Sequence, residues 1–459
     1  MLVMSDAVTT SGIDRSLLTK AYLYGFPLVF NLEQVRRYVR TGIGAVPAAP
    51  WNTFGHARTL AGPADTFVTI NNDTLYSMAQ IDVSVGPVRL RVPDTAGRYY
   101  VLQFVSAWTD NFAYVGHRAT GTAAGEFLLV PPGWSGDAAD ASTAEADLAA
   151  TTVIHFPTTV ASIVGRWAVA DGDDLSTVHA LQDATTLTPV APAAVPVGLA
   201  EPDAGVPDAV AFLEELRVWS QQFPPAARDL ELQRSFGPAG ITAPSSSYLD
   251  LPEATTESLA DGIAAGHAAL EHALSSGASP QVNGWKLTLH AFDYNLDFFE
   301  VGALDDERFE IADPELRIVE RAAAALGGLW GNHAYEAAYI MTYVDDHDEQ
   351  LTGSRTYALR LDPTPPVGAF WSLTMYSVPD YFLVANPIDR YSVGDRTPGL
   401  VRDEDGALTI TISHEPPADP NANWLPSPAG DFRPILRMYE PDDAVLDGEW
   451  TAPPIVRRT

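Results

Sequence analysis

From Val88 to Gly116 the chain reads VRLRVPDTAGRYYVLQFVSAWTDNFAYVG, a run of strand and turn chemistry. Val88-Arg89-Leu90-Arg91-Val92 is a short β-branched run, and Pro93-Asp94-Thr95-Ala96-Gly97 is turn chemistry. Arg98 to Phe104 then opens a second run on the aromatic pair Tyr99-Tyr100. A run, a turn and a run at this spacing predict an antiparallel hairpin. The pattern comes back near the other end, where Tyr357 to Asn386 reads YALRLDPTPPVGAFWSLTMYSVPDYFLVAN. There too a strand leads into a proline-bearing turn ending in glycine (Gly368), followed by an aromatic pair (Phe370-Trp371) and an aspartate-aromatic loop. Two domains sharing one β topology are one reading of this likeness. The other is that any two antiparallel hairpins look alike.

Working outward, Phe67 to Ile70, Phe127 to Val130, Thr152 to Phe156 and Ile163 to Val169 read as further strands of an N-terminal sandwich or jelly roll. Asp14 to Arg40 reads as a helix with Pro27 as a kink, and the Ala/Asp-rich Ser135 to Ala150 as a surface excursion. Thr188 to Asp208 holds Pro189, Pro192, Pro196, Pro202 and Pro207, and marks a linker. Helical patterns follow over Ala209 to Gln222 and Ala254 to Leu274. Another opens at Asp313-Pro314 with Asp as N-cap, breaks at Gly327-Gly328 and resumes over Asn332 to Tyr343. From Arg355 the β pattern returns, and strict alternation puts Leu408, Ile410 and Ile412 inside. The expected architecture is mainly β with helical additions (α+β), two jelly-roll-like antiparallel domains. The expected divisions are an N-terminal unit over 1–187, a linker over 188–208, a helical region over 209–345 and a C-terminal β domain over 346–459.

Composition narrows the function classes. With 59 acidic against 27 basic residues the net charge is −32, a field that repels phosphate backbones and anionic lipid surfaces. Nucleic-acid and membrane partners are therefore not expected. The chain has no cysteine, so disulfides, thiol nucleophiles and thiolate metal sites are excluded. The start Met1-Leu2-Val3-Met4-Ser5-Asp6-Ala7 lacks the features of a signal peptide, which points to the cytoplasm. No window approaches the ~18 apolar residues of a membrane span. G-x-S-x-G, Walker A and G-x-G-x-x-G motifs are missing, so no nucleotide cofactor is expected.

Several blocks together resemble a known bacterial family: Asn71 to Ser77 (NNDTLYS), Ile81 to Pro87, Val92 to Tyr100, Asn111 to Gly121, Phe370 to Tyr376, Asn386 to Thr397 and Asn423 to Pro428 (NWLPSP). That family joins domain of unknown function twelve-fifty-four (N-terminal) to twelve-fourteen (C-terminal), and the likeness spans roughly residues 15 to 459. The resemblance implies a two-domain, β-rich, jelly-roll-like and often oligomeric protein, with no activity to carry over. A homo-oligomer is thus an open alternative.

The residues themselves give a short list. Asn71-Asn72-Asp73-Thr74 is either a structural turn or the rim of a pocket in which Asp73 acts as acceptor or base and Tyr76 as donor. Trp108, Asn111, His117 and Arg118 lie on a loop that can supply an aromatic wall and a cation. In the C-terminal half Asn386, Arg390, Tyr391, Asp395 and Arg396 share one loop, with an arginine either clamping a carboxylate or stapling the loop to an aspartate. Trp371, Tyr376, Asn423 and Trp424 are either core or ligand-facing. His333 and Glu336 sit at i,i+3 on the expected helix, which leaves a divalent metal open there, with a solvated acidic loop after the helix as the alternative. Two functions follow. One is a cofactor-independent hydrolase or lyase using Asp73, Tyr76, His117 and Arg118; the other is a non-catalytic binder of a small carbohydrate-like or aromatic ligand.

Overall fold

The computed structural model describes residues 14–65, 69–136, 152–170, 174–191, 193–276 and 279–458. Phe67 and Val68 of the expected first strand, the N-terminal lead and most of the stretch 135–150 lie outside them.

Helix α1 (Arg15–Thr41) begins where the Asp14 carboxylate accepts from the Ser16 N–H, and it continues through Pro27. The N-terminal sandwich follows: β1 (Gly55–His56), β2 (Thr74–Asp82), β3 (Val88–Val92), β4 (Tyr100–Ser106), β5 (Asn111–Gly116), the single turn α2 (His117–Thr120), β6 (Gly125–Val130), β7 (Thr152–His155), β8 (Val160–Ala168), α3 (Leu175–Ala184) and β9 (Thr186–Pro189). Its large sheet runs β1-β2-β8-β4-β5 and its small sheet β7-β6-β3-β9. Leu75, Ile81, Phe104 and Ile163 from the large sheet meet Val88, Leu90, Leu129 and Ile154 from the small one in a single buried core.

Helices α4 (Ala211–Gln222), α5 (Leu230–Ser235) and α6 (Glu253–Ser276) lead to β10 (Gln281–Val282), β11 (Trp285–Leu287) and α7 (Pro314–Gly328). The expected cap of α7 is present, with Asp313 accepting from the N–H groups of Glu315 and Leu316. The apolar face of α1 packs on α4, α6 and α7 around Leu18, Tyr22, Leu32, Leu216, Trp219 and Ala322. The C-terminal sandwich is then completed by β12 (Ala337–Thr342), β13 (Thr356–Leu361), β14 (Val367–Ser377), β15 (Ser392–Gly394), β16 (Leu408–Ser413), β17 (Asn423–Pro426), β18 (Phe432–Pro441), α8 (Asp443–Leu446) and β19 (Val456–Arg458). Leu408, Ile410 and Ile412 face its core as the alternation requires, while Thr409 and Thr411 are half-buried.

The C-terminal sheets run β10-β11-β12-β18-β14-β15 and β17-β16-β13-β19. From β2 to β9 and from β12 to β19 the order is therefore the same, strand for strand. Even a parallel pair recurs, β6 with β7 and β16 with β17. The two halves share one topology, and the likeness of the two quoted hairpins reflects it. The register places Gly116 beside Val101 and Gly394 beside Ser372. At both glycines a Cβ would fall against the neighbouring strand, 2.2 Å from Tyr100 O and 2.1 Å from Trp371 O.

Two expectations need correction. Asn332 to Tyr343 is not a resumed helix: it is a turn followed by β12, which pairs with both β11 and β18. Cross-strand packing here overrides the helical preference of Ala337, Ala338 and Met341. As a result the C-terminal β unit begins with β10 rather than at residue 346. The proline-rich stretch does not stand apart from the N-terminal sandwich either. It starts within β9, and Gly198 N donates to the Asp82 carboxylate at 2.6 Å.

Candidate functional site

Strand β8 is buried along its whole length because both faces of the large sheet are covered. The inner face meets the small sheet. The outer face carries Tyr76, Met78, Val164, Arg166, Val101 and Gln103, and it is covered by α1, by the α7–β12 connection and by the corresponding face of the C-terminal sheet. That second face carries Tyr339, Met341, Ile435, Arg437, Ser372 and Thr374. Register makes the equivalences definite: Tyr76 pairs with Arg166, which pairs with Val101, just as Tyr339 pairs with Arg437, which pairs with Ser372.

The contacts between the halves are reciprocal, as in a two-fold interface. Arg166 Nη2 donates to Trp330 O at 2.8 Å, and Arg437 Nη2 donates to Thr69 O at 2.8 Å. Both acceptors belong to residues in the left-handed region, with φ of 64° and 55°. Asn71 Nδ2 donates to the Tyr76 hydroxyl at 3.1 Å, and Asn332 Nδ2 to the Tyr339 hydroxyl at 3.2 Å. Arg118 Nε reaches Glu336 Oε2 at 2.6 Å, and its counterpart Arg396 donates to the carbonyl of Asp73 at 3.2 Å. Burial pushes the Glu336 carboxyl above its usual range, with Arg118 and Tyr99 pulling it back.

Between these elements, on the N-terminal side, lies a cavity of about 80 Å³, counted as the space open to the centre of a water molecule. Ile43 to Val46, Ala57, Ala61, Ile70, Met78, Val164, Leu329 and Trp330 make its apolar walls. Thr59, Asn71, Thr74, Tyr76 and Arg166 supply the polar groups of its lining. Arg166 is 6% exposed. Its acceptors are Gln103 Oε1 at 2.9 Å, Asn332 Oδ1 at 3.4 Å and the Trp330 carbonyl, and among the described residues no carboxylate pairs with it.

Residues 51–189 match the family described as protein of unknown function (DUF1254), and residues 336–443 match the one described as protein of unknown function (DUF1214). The chain belongs to the family that joins these two domains. Among solved structures, the VPA0106 protein from Vibrio parahaemolyticus is similar at 23% identity and a TM-score of 0.71, covering 97% of this chain and 100% of its own. That similarity shows the fold. An uncharacterized protein from Burkholderia cenocepacia aligns at 12% identity and a TM-score of 0.41, over 98% of this chain and 90% of its own. No curated protein matches significantly. Among the described residues no helix is long and apolar enough to cross a membrane.

Of the family blocks, NNDTLYS lands on the cavity, through Asn71, Thr74 and Tyr76. Asp73 points away from it, accepting from Ser372 Oγ at 2.6 Å and the Tyr439 hydroxyl at 3.3 Å. Asn72 donates to the Ala61 carbonyl. His117 and Arg118 lie beyond β5, where His117 Nδ1 meets the Glu440 carboxylate at 2.8 Å. Between Tyr76 and Gly116 stand β8 and β4, three strand spacings or roughly 14 Å at ~4.8 Å each. The expected catalytic four do not converge.

The other candidates are held in structural roles. Trp108 is buried with Nε1 on Phe223 O, and it lines a smaller cavity of about 30 Å³ with Tyr24, Asp110, Tyr294 and Arg321. Asn111 accepts from Gln103 and donates to Gly331 O. Trp371 belongs to the C-terminal core, and Tyr376 donates to Ile70 O at 2.7 Å. Asn386 ties its own loop at Arg390 O, Arg390 donates to Trp424 O, and Tyr391 donates to Asp389. Asp395 accepts from Trp371 N, and the Arg396 guanidinium lies over the Phe370 ring. Asn423 holds Val401 through both N–H and carbonyl, and Trp424 Nε1 donates to Ser413 O.

The His333/Glu336 pair does not form the expected i,i+3 face, since it sits in a turn. His333 Nδ1 lies 3.0 Å from the Tyr114 hydroxyl and 2.9 Å from that of Tyr335, and Glu336 is engaged by Arg118 and Tyr99. Arg166 was missed. The available signal was an arginine inside an otherwise apolar strand, Ile163-Val164-Gly165-Arg166-Trp167-Ala168, echoed by Arg437 in Ile435-Leu436-Arg437-Met438.

Proposed function

We propose that this protein binds a small, largely apolar molecule in the cavity beside Tyr76 and Arg166. The observation that carries the reading is a largely apolar, partly open space with a few polar groups at its wall, the usual make-up of a small-molecule site. Asn71 orients Tyr76: it donates to the phenol oxygen, which leaves the phenol hydrogen for a ligand. Arg166 is held by neutral acceptors that fix its direction without cancelling its charge. An acid–base mechanism draws less support, because Asp73, His117 and Arg118 each have a partner elsewhere.

The test is thermal shift of the purified chain against small apolar and aromatic compounds, repeated on Val164→Phe, which narrows the cavity from β8. Binding only to the native state raises the transition temperature. Compounds that stabilise the wild type and not the variant support the site. Equal stabilisation of both, or none of either, removes it.

A further inference from the structure

The next step rests on that cavity being a ligand site, and it concerns the charge of the occupant. A guanidinium carries five N–H donors. Arg166 has three bonds to protein acceptors, Gln103 Oε1, Asn332 Oδ1 and Trp330 O. A buried cation without an ionised partner is costly to desolvate and is normally paired. Half-buried arginines nearby do have one: Arg118 has Glu336 at 2.6 Å, and Arg321 has Asp110 at 2.6 Å. Arg437, the counterpart of Arg166 and equally buried, is like it in meeting no carboxylate among the described residues, but it does not line the cavity. Arg166 instead lines an apolar cavity with Tyr76, whose ring lies 5.5 Å from the guanidinium carbon.

From this geometry we infer that the occupant is a small monocarboxylate with an apolar body, its carboxylate on Arg166 and Tyr76. The donors match that group. Two remaining guanidinium N–H groups and one phenol O–H suit the two oxygens of a carboxylate. A phosphate dianion calls for a larger set of donors and more charge, whereas the rest of this wall is mainly Ile, Val, Ala, Met, Leu and Trp, with the neutral Thr59, Asn71 and Thr74 and no second cation. The overall field does not produce the preference, since at −32 the chain as a whole repels anions. Specificity of this kind comes from the local, desolvated guanidinium, and it weakens little with salt.

The test compares isosteric pairs on the full chain at pH 7: butyrate against butyramide, hexanoate against hexanamide, and benzoate against benzamide, by calorimetry and thermal shift. At least one carboxylate is expected to bind ten-fold or more tightly than its amide. Arg166→Gln is expected to remove that preference, and Arg166→Lys to keep part of it. Amides binding as well as acids to the wild type, but not to Val164→Phe, overturn the charge inference and leave the cavity reading standing. A carboxylate preference that persists in Arg166→Gln places the anion elsewhere and overturns the inference. If no pair binds at millimolar concentration, both readings fall.

Discussion

Arg118 Nε meets Glu336 Oε2 at 2.6 Å across the boundary between the two halves, and Glu336 is 1% exposed. Removing one member leaves the other charge buried and unpaired. Glu336→Ala is therefore expected to cost about 3 kcal/mol, the lower end for a broken buried pair because the Arg118 side chain keeps some exposure. Adding Arg118→Ala should bring less further loss than Arg118→Ala costs alone. Urea unfolding of the two single variants and the double variant measures this coupling.

The equivalent glycines make a second, independent prediction. A Cβ at Gly116 or Gly394 meets a backbone oxygen of the neighbouring strand at 2.2 or 2.1 Å. Alanine at either position is expected to destabilise by at least about 1–3 kcal/mol, as overpacking does. Thermal denaturation of both variants checks it, and a neutral result at Gly394 would contradict the close approach of β15 to β14.

Equivalent positions in the two large sheets have unequal hydrogen bonding. Gln103 accepts from Arg166, whereas among the described residues its counterpart Thr374 has a buried hydroxyl with no partner, and Arg437 Nη1 has none either. Gln103→Leu is expected to cost about 1–3 kcal/mol, because Asn111 Oδ1 loses the Gln103 donor and Arg166 Nη1 keeps only the 3.4 Å contact with Asn332. Thr374→Val keeps the shape and removes an unmet polar group, so it should be neutral or slightly stabilising. Chemical denaturation of the pair reads the sign directly.

Burial holds two imidazoles neutral in the folded chain. The His56 pKa is pushed down to about 4 by burial and then Arg58, and that of His333 to about 3 by burial and then Arg118, against an ordinary value of 6.5. On acidification the unfolded chain takes up these protons first. Each histidine thus contributes stability that is present above pH 6.5 and lost as the pH falls towards its folded value. Between pH 7 and pH 5 the wild type should lose more stability than His333→Gln, measured as the shift in urea midpoint.

Much of the fold was legible because it is local. The N-cap at Asp313, the alternation Leu408-Ile410-Ile412 and the recurring strand–Pro/Gly–aromatic pattern each rest on near neighbours, and each is found in place. Ala337 to Thr342 was not legible, because its strand state depends on β11 and β18, one of them about a hundred residues away in sequence. The site divides in the same way. Asn71 and Tyr76 come from one short block, so sequence could group them with the rest of NNDTLYS. Arg166 joins them only through the pairing of β2 with β8, and Trp330 only through the meeting of the two halves. His117 and Arg118 were grouped with Asp73 for their chemistry, yet two strands of the sheet stand between them.

The most direct test of the cavity reading is a crystal structure of the chain soaked with hexanoate. The expected result is density in the cavity, its carboxylate within hydrogen-bond reach of the Arg166 guanidinium and the Tyr76 hydroxyl and its alkyl chain against Met78, Val164 and Trp330. Hexanoate bound elsewhere, with none in this cavity at saturating concentration, would contradict it.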